Sequence, residues 1–297
     1  MRVFVTGASG GVGAVVVSEL VAAGHDVVGL ARSDASARLV AAAGASVVRG
    51  GLGDLDVLTA AAEQADGVIS LAFSNDFSRL TEGIAEEGLA LRTLGAALVG
   101  TGKPLVVASG TPSVAGRAST EQDPTPTDGP VGGRGVNSQA VLDLASRGVR
   151  SAAVRLPRSV HERGVGYGFA GVLIATARRT GVSGYIGDGS QRWPAVHRRD
   201  AGSLFRLALE QADGGTILHA VADEGDTMMS LAEVIGRRLG VPVVSKTSEE
   251  AAGHFGWFAG FAGMDIPSSS ARTRSVLGWK PEQPGLLADL DQPHYFT

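Results

Sequence analysis

Residues 3–13 read Val-Phe-Val-Thr-Gly-Ala-Ser-Gly-Gly-Val-Gly, an apolar run that breaks into spaced glycines just before a helix-like stretch. In such a turn Gly7 can take backbone angles closed to other residues, Gly10 lets a ligand approach the main chain, and Gly13 lets the helix pack near the strand. The helix then directs unsatisfied N–H groups and its positive dipole end at an anion. An amphipathic helix and a second strand follow, as this motif requires. The stretch predicts a dinucleotide-binding turn, with further cofactor contacts from Ser9, Gly11 and Val12.

Composition narrows the class of protein. Of the 297 residues, 44% are apolar, enough for a substantial core, and the net charge of −4 leaves no basic surplus for nucleic acid or an anionic membrane. No apolar stretch approaches the roughly 20 residues that span a bilayer. Because the first strand begins at Arg2, we expect no signal peptide, and the absence of cysteine fits a reducing compartment. We therefore expect a cytoplasmic protein with a small-molecule substrate and no nucleic-acid or membrane partner. A homodimer is a further expectation.

Apolar runs alternate with helical patterns along the first half of the chain. This alternation predicts an α/β fold, a Rossmann-type doubly wound parallel sheet with both faces covered by helices. We expect a dinucleotide-binding domain over residues 1–156 and a smaller C-terminal lobe over residues 157–297, mainly substrate-binding and partly interleaved with the sheet. Strands are predicted at Val3–Val5, Val27–Leu30, Ala45–Val48, Gly67–Ala72, Leu105–Ala108 and Arg150–Arg155, and helices at Gly11–Ala23, Asp34–Ala43, Leu55–Ala65, Phe77–Gly100 and Asn137–Ser146.

Six short motifs follow one another in a fixed order. They are the TGxxGxxG turn at 6–13, Gly67-Val-Ile-Ser-Leu-Ala72, Val106-Val-Ala-Ser-Gly-Thr111, Arg155-Leu-Pro157, Gly187-Asp-Gly189 with Val196-His-Arg-Arg-Asp200, and Leu277-Gly-Trp-Lys-Pro281. Together they resemble the extended short-chain dehydrogenase/reductase superfamily, in its NAD-dependent epimerase/dehydratase branch, over nearly the full length. The resemblance implies a nicotinamide dinucleotide cofactor, with cofactor contacts from Leu71, Ala72, Phe73 and Ser109.

The second strand bears on the choice between NAD and NADP. An acidic residue about 20 positions after the glycines would hold the ribose 2′-hydroxyl of NAD, but this chain has Ala31 there, followed by Arg32 and Ser33. Without that carboxylate a 2′-phosphate is not repelled, and Arg32 can donate a charge-assisted fork to it. We predict NADP, with NAD as the alternative and a solvated loop position as the competing interpretation of Arg32. Gly51 and Leu52 are expected to meet the adenine.

The resemblance also implies a catalytic Tyr–Lys pair, which this chain lacks. The family transfers hydride with a YxxxK motif, but here Pro130 or Val131 falls in the tyrosine slot. Arg134 is the basic residue nearest the lysine slot. Because arginine does not readily lose its proton, Arg134 could orient a cofactor ribose but could not act as a base.

Replacement catalytic groups must reach the same crevice. Thr111 falls on the family's Ser/Thr position and is expected to hydrogen-bond the substrate oxygen. His161 and Tyr167 are the candidate proton donors, because imidazole titrates near neutrality and a phenol can donate its proton. An exposed loop histidine is the competing interpretation of His161. Trp193 and the aromatic cluster 255–261 are expected either to line an apolar substrate pocket or to form the core of the lobe.

The remaining charged residues indicate neither a metal site nor a second catalytic site. The six histidines have no metal-ligand spacing, and Glu86–Glu87 is interpreted as a solvated helix face.

We predict an NADP-dependent oxidoreductase that acts on a small, mainly apolar carbonyl or alcohol substrate. The alternatives are an epimerase or dehydratase that uses hydride transfer transiently, and a non-catalytic NADP-binding sensor or regulator.

Overall fold

A computed structural model of the chain describes residues 1–74, 77–162 and 168–296. Within these ranges the strands form one large parallel sheet and two small sheets. In chain order the strands are β1 (Arg2–Thr6), β2 (Asp26–Ala31), β3 (Ser46–Arg49), β4 (Gly67–Ser70), β5 (Pro104–Gly110), β6 (Arg150–Leu156), β7 (Ser159–His161), β8 (Ser183–Ile186), β9 (Arg192–His197), β10 (Thr216–His219), β11 (Asp223–Thr227) and β12 (Val243–Lys246).

The large sheet has the strand order β3-β2-β1-β4-β5-β6-β10, and each neighbouring pair is parallel. From β1 the chain moves outward through β2 and β3, and it then crosses to the other side at β4. Where the order reverses, between β1 and β4, a crevice opens outside the carboxyl ends of the strands. The predicted fold class, a doubly wound α/β sheet, is confirmed.

Helices connect the strands and cover both faces of the large sheet. They are α1 (Gly11–Ala22), α2 (Asp34–Ala42), α3 (Leu55–Gln64), α4 (Leu80–Leu98), α5 (Gly132–Leu142), α6 (Phe169–Thr180), α7 (Arg198–Gln211), α8 (Met228–Leu239), α9 (Ser248–Phe255), α10 (Ala259–Ala262), α11 (Ala271–Leu277) and α12 (Leu286–Leu290). No helix in the described ranges is both long enough and apolar enough to cross a membrane.

Strand β1 shows why the strands of the large sheet have continuous apolar sequences. Val3 and Val5 belong to the core that includes Phe205 of α7, whereas Phe4 belongs to a second core that includes Leu94 of α4. All five side chains are buried. Alternate residues of a strand point to opposite faces, so a strand covered on both sides needs apolar residues at every position.

The chain returns to the large sheet after residue 156. Strand β10 lies beside β6 at the edge of the sheet, and α7 packs against α1. The small sheet β11-β9-β7 and the pair β12-β8 lie in the second part of the chain, together with a third core around Trp193 and Phe258. Because β10 completes the large sheet, the division at residue 156 stays a prediction about function and does not separate two sheets.

Helix α5 begins at Gly132, earlier than the predicted start at Asn137. A Cβ on Gly132 would lie 2.5 Å from the Thr127 carbonyl carbon, and one on Gly135 would lie 1.9 Å from the Pro126 carbonyl oxygen. These glycines let the helix pack directly on the preceding loop. Intrinsic propensity disfavours glycine in a helix, so this tight packing is what a sequence-based prediction of the boundary misses.

Candidate active site

The glycine turn is held against β4 by contacts that only glycine allows. Gly7 has φ +70°, and a Cβ on it would lie 2.7 Å from the backbone nitrogen of Ala72. A Cβ on Gly13 would lie 2.0 Å from the Gly7 carbonyl oxygen. Side chains at these two positions would push the turn away from β4 and α1 away from the turn. Their role is therefore to build the turn.

The amino end of α1 is open to a ligand. Gly10 is the N-cap residue with φ −75°, it is exposed, and no side chain caps the helix. The first turn contains no acidic residue. Gly11 is also exposed, Ser9 is half-buried, and Val12 packs against the core beneath them. An uncapped helix end leaves N–H groups that an anion or water must satisfy.

The segment after β4 is tied to the same turn through Thr6. The Thr6 hydroxyl lies 3.1 Å from the Ser70 hydroxyl and accepts a hydrogen bond of 3.3 Å from the Ala72 amide. The Leu71 amide donates to the Thr6 carbonyl at 3.2 Å. The structure thus brings Leu71 and Ala72 to the glycine turn at the point where the strand order reverses.

Arg134 and Phe73 meet beside a buried carboxylate. The Arg134 guanidinium lies 3.9 Å from the centre of the Phe73 ring and donates to Glu87, with Nη2 2.8 Å from Oε1. Asn137 adds a 3.2 Å hydrogen bond to the same carboxylate. The interpretation of Glu86–Glu87 as a solvated face is wrong for Glu87, which is only 6% exposed and holds Arg134 in place. Contact of Arg134 with a cofactor ribose stays a prediction.

The predicted adenosine end carries one unpartnered cation. Arg32 is exposed and makes no hydrogen bond or ion pair with any described residue, whereas Arg49 on the neighbouring strand pairs with Asp34 at 2.8 Å. Ser33 caps α2, since its hydroxyl accepts from the Ser36 amide at 3.2 Å. In the loop after β3, the Gly51 amide donates to the Asp54 carboxylate at 2.7 Å, and the half-buried Leu52 side chain packs against the core.

Thr111 lies at the carboxyl end of β5, where the crevice opens. Its amide donates to the Leu156 carbonyl at 3.0 Å, while its half-buried hydroxyl has no hydrogen-bond partner among the described residues. Ser109, also half-buried, is paired in register with Arg155 of β6. The Thr111 hydroxyl is therefore available to another partner.

Arg155 fixes the proline-rich loop from inside the sheet. Its side chain is fully buried and donates to the Asp123 carbonyl at 2.9 Å and to the Thr125 hydroxyl at 2.5 Å. Both partners belong to the proline-rich loop between β5 and α5. Burial lowers the pKa of the neighbouring His219 to about 4, so this imidazole stays neutral beside the guanidinium. The loop is thereby fixed to β6.

His161 is buried, with one ring nitrogen paired and the other unpaired. Nδ1 lies 2.7 Å from the Asp289 carboxylate, and the Tyr295 hydroxyl donates to the same oxygen at 2.6 Å. Because a carboxylate accepts, Nδ1 carries the proton and Nε2 is left as the second, reactive position. Nε2 is buried and has no hydrogen-bond partner in the described ranges. The interpretation of His161 as an exposed loop histidine is wrong, since it is only 6% exposed on β7.

The electrostatics of this group keep Asp289 ionised. Burial would raise the pKa of Asp289, but the hydrogen bonds from Tyr295 and His161 outweigh it and lower that pKa. Burial and the bond to Asp289 raise the pKa of Tyr295, so its phenol stays protonated. His197 lies edge-on to His161, with ring centres 5.3 Å apart, and burial together with this neighbour lowers its pKa.

Two residues of this group were not identified from the sequence. Asp289 lies on α12 and Tyr295 shortly after it, both far from His161 along the chain and outside any motif. Tyr167, the other predicted proton donor, lies outside the described residues. Trp193 and Phe258 are buried, with ring centres 5.7 Å apart, so the aromatic cluster 255–261 belongs mainly to the core of the lobe. No cluster of potential metal ligands occurs in the described ranges.

The chain belongs to the NAD dependent epimerase/dehydratase family, whose model matches residues 3–221. It is 44% identical over 298 residues to a Schizosaccharomyces pombe protein named "Uncharacterized protein C2A9.02", covering 100% of both chains. It is 41% identical over 293 residues to the Saccharomyces cerevisiae protein named "Uncharacterized protein YLL056C", covering 98% of each. Its fold is similar to that of a double mutant of DesIV, a dTDP-glucose 4,6-dehydratase from Streptomyces venezuelae with NAD and DAU bound (TM-score 0.78, 17% identity, covering 100% of this chain and 96% of that one).

The residues around the glycine turn fit the dinucleotide that the family name implies. A side chain at Gly7 would meet Ala72 after β4, and one at Gly13 would meet the Gly7 carbonyl, while Gly10 and Gly11 are exposed at an uncapped helix end. Such a cradle accommodates a pyrophosphate. The exposed Arg32, which follows β2, has no hydrogen-bond or ion-pair partner among the described residues.

Proposed function

We propose that this protein is an NADP-dependent oxidoreductase that interconverts a small carbonyl compound and its alcohol, with His161 as the proton-transferring residue. The observation that carries the proposal is the buried His161 ring, fixed through Nδ1 by Asp289 and unpartnered at Nε2. A bound nicotinamide would supply or accept the hydride. The proton has to come from the protein or from water, and the usual tyrosine and lysine are absent.

The proposed roles follow from the protonation states of these residues. With Nδ1–H donated to Asp289, a neutral His161 can accept a proton from an alcohol at Nε2, and its protonated form can donate that proton to a carbonyl oxygen. Asp289 stabilises the charged ring that forms during this transfer. The Thr111 hydroxyl would donate a hydrogen bond to the substrate oxygen, whose negative charge grows as hydride is transferred.

The preference for NADP is proposed on the charges near the second strand. Ala31 supplies no carboxylate to repel a 2′-phosphate, and no residue in the described ranges competes for the guanidinium of the exposed Arg32. Ser33, the residue after Arg32, caps α2 with its hydroxyl. The amino end of that helix therefore lies close to Arg32. A helix amino end favours an anion. These features support NADP, although the family name mentions NAD.

The aromatic cluster bears on the substrate. Because Trp193 and Phe258 pack in the core of the lobe, they give the predicted apolar substrate less support than the sequence suggested. We retain a small carbonyl or alcohol substrate as the proposal, and its test therefore needs polar as well as apolar compounds.

Two alternatives each have a specific observation in their favour. An epimerase or dehydratase that transfers hydride transiently is favoured by membership of the family. A non-catalytic NADP-binding sensor is favoured by Arg134, which occupies the region of the lysine slot and is bound to the buried Glu87.

The deciding experiment measures NADPH binding and NADPH oxidation in parallel. We expect binding in the absence of substrate and a fall in nicotinamide absorbance with at least one member of a panel of small aldehydes and ketones, polar and apolar. A matched His161→Gln variant should still bind NADPH but oxidise it far more slowly. Tight NADPH binding with no turnover of any compound would favour the sensor, and conversion of a substrate without net NADPH oxidation would favour the epimerase or dehydratase.

A further inference from the structure

Arg198 lies over the amino end of α1, although it comes from α7. The Cζ, Nη1 and Nη2 atoms of its guanidinium lie 2.7–2.8 Å from the position that a Cβ on Gly11 would take. One turn further along, Gly202 of α7 meets Val15 of α1. Helices α1 and α7 therefore run parallel to each other, and the amino ends of both lie at the glycine turn.

The guanidinium has no partner that would explain this position. It makes no hydrogen bond or ion pair with any described residue, and its Nε is buried and unsatisfied. Glu162, the acidic residue that acts on its charge, is hydrogen-bonded to Arg199 at 3.3 Å. The Asp200 carboxylate at the start of α7 accepts from the amides of Glu282 and Gln283.

This arrangement is electrostatically unfavourable for the protein without a ligand. The amino end of a helix carries partial positive charge, and here a partly buried cation is added to two such ends. Removing a charge from water is costly unless a charged or hydrogen-bonding partner replaces the solvent. An anion between Arg198 and the glycine turn would supply that partner.

We propose that Arg198 binds the pyrophosphate of the dinucleotide cofactor, closing over it from α7 while the glycine turn binds it from α1. Its planar fork can donate two parallel hydrogen bonds to phosphate oxygens. The inference rests on the dinucleotide site of the proposed function but is independent of the reaction and of the choice between NADP and NAD. Arg199, the next residue, is exposed and is expected to take no part.

The test compares two charge-removing variants with ligands that do or do not contain a pyrophosphate. Arg198→Met should bind ADP-ribose and NADPH at least about 10-fold more weakly than the parent, since hydrogen bonds between charged groups are among the stronger ones. Binding of 2′-AMP, which has no pyrophosphate, should change little. Arg199→Met, the matched control, should bind all three ligands as the parent does. Because Arg198 has no hydrogen-bond or ion-pair partner among the described residues, its removal should leave the unliganded thermal midpoint unchanged or raise it.

Each result decides between the two proposals. Parental affinity of Arg198→Met for ADP-ribose, or an equal loss in Arg199→Met, would overturn the role of Arg198 and leave the cofactor site intact. A lower thermal midpoint of the Arg198→Met variant would indicate that Arg198 has a structural role. In that case the Arg198→Lys variant, which keeps the positive charge but lacks the planar fork, should bind ADP-ribose with the affinity of the parent. A parent protein that binds no ADP-ribose, NADPH or NADH would overturn the proposed function itself.

Discussion

Nδ1 of His161 and Oδ2 of Asp289 lie 2.7 Å apart, although 128 residues separate them along the chain. The pair joins β7, the strand that comes next in the chain after β6, to α12 of the C-terminal lobe. A buried imidazole whose second nitrogen has no partner is costly for stability alone, because an unsatisfied buried polar atom loses its hydrogen bonds to water. The pairing is consistent with the proposed proton transfer at Nε2.

Replacing His161 by glutamine should reduce the turnover number about 100-fold, because general acid–base catalysis contributes on this order. The variant should still bind NADPH as the parent does, because the role proposed for His161 is proton transfer and not cofactor binding. Steady-state rates and direct NADPH titration check both points. His25→Gln, at a histidine paired with Glu210 on another part of the surface, is the control.

Asp289→Asn should lower the turnover number by about 10-fold or more while leaving the Michaelis constant nearly unchanged, because Asp289 orients His161 and stabilises its charged form. Tyr295→Phe removes one hydrogen bond to the same carboxylate and should have a smaller effect in the same direction. Asp289→Glu should recover part of the rate. Equal losses in binding and turnover would instead indicate that the lobe is misfolded.

Arg32→Ala should weaken NADPH binding by about 1.5–3 kcal/mol and change NADH binding little, since only NADPH has the 2′-phosphate. Direct titration of both cofactors measures this difference. Arg38→Ala removes an exposed charge from α2 nearby and should leave both affinities unchanged. A parent protein that binds NADH more tightly than NADPH would contradict the assignment.

Thr111→Val should reduce the rate about 100-fold or more if the hydroxyl donates to the developing oxyanion. The two side chains are similar in size, and this hydroxyl has no protein partner in the described ranges, so the thermal midpoint should not fall. A variant with parental turnover would remove Thr111 from the site.

Asp226 should make the protein less stable as the pH rises. Burial, with a smaller effect of Asp223, raises its pKa to about 6, and one of its carboxylate oxygens is buried without a partner in the described residues. A carboxyl whose pKa is higher in the folded than in the unfolded chain favours folding when protonated, so this contribution is lost between about pH 4 and 6. Asp226→Asn should therefore stabilise the protein by about 1–3 kcal/mol above pH 6 and by little at pH 4.

Unfolding free energies at several pH values check this prediction. The exposed Asp213→Asn variant is the control, because that side chain has no described partner and its removal should produce no comparable pH dependence.

The sequence predicted most of the fold because its signals are local. The glycine spacing at residues 7, 10 and 13 and the alternation of apolar strands with helices need no knowledge of distant contacts. The start of α5 was predicted too late, since its glycines are explained only by packing against the preceding loop. The burial of Glu87 was not predicted for a related reason: its charge is compensated by Arg134 from another helix.

The candidate site was only partly predictable. Thr111, His161 and Arg32 could be proposed as candidates from their positions relative to the strands. Asp289, Tyr295 and Arg198 could not, because each acts through a contact that exists only after the lobe has packed against the sheet. Arg198 lies within a recognisable motif, but the motif gives no indication that its side chain reaches Gly11.

The buried Arg155 has a consequence for the entropy of any ligand that contacts the proline-rich loop. Such a loop would ordinarily sample several arrangements, but this one is fixed to β6 through the Asp123 carbonyl and the Thr125 hydroxyl. The loop therefore has its shape before a ligand arrives. A ligand that binds against it would order little additional chain and so would lose little affinity to entropy.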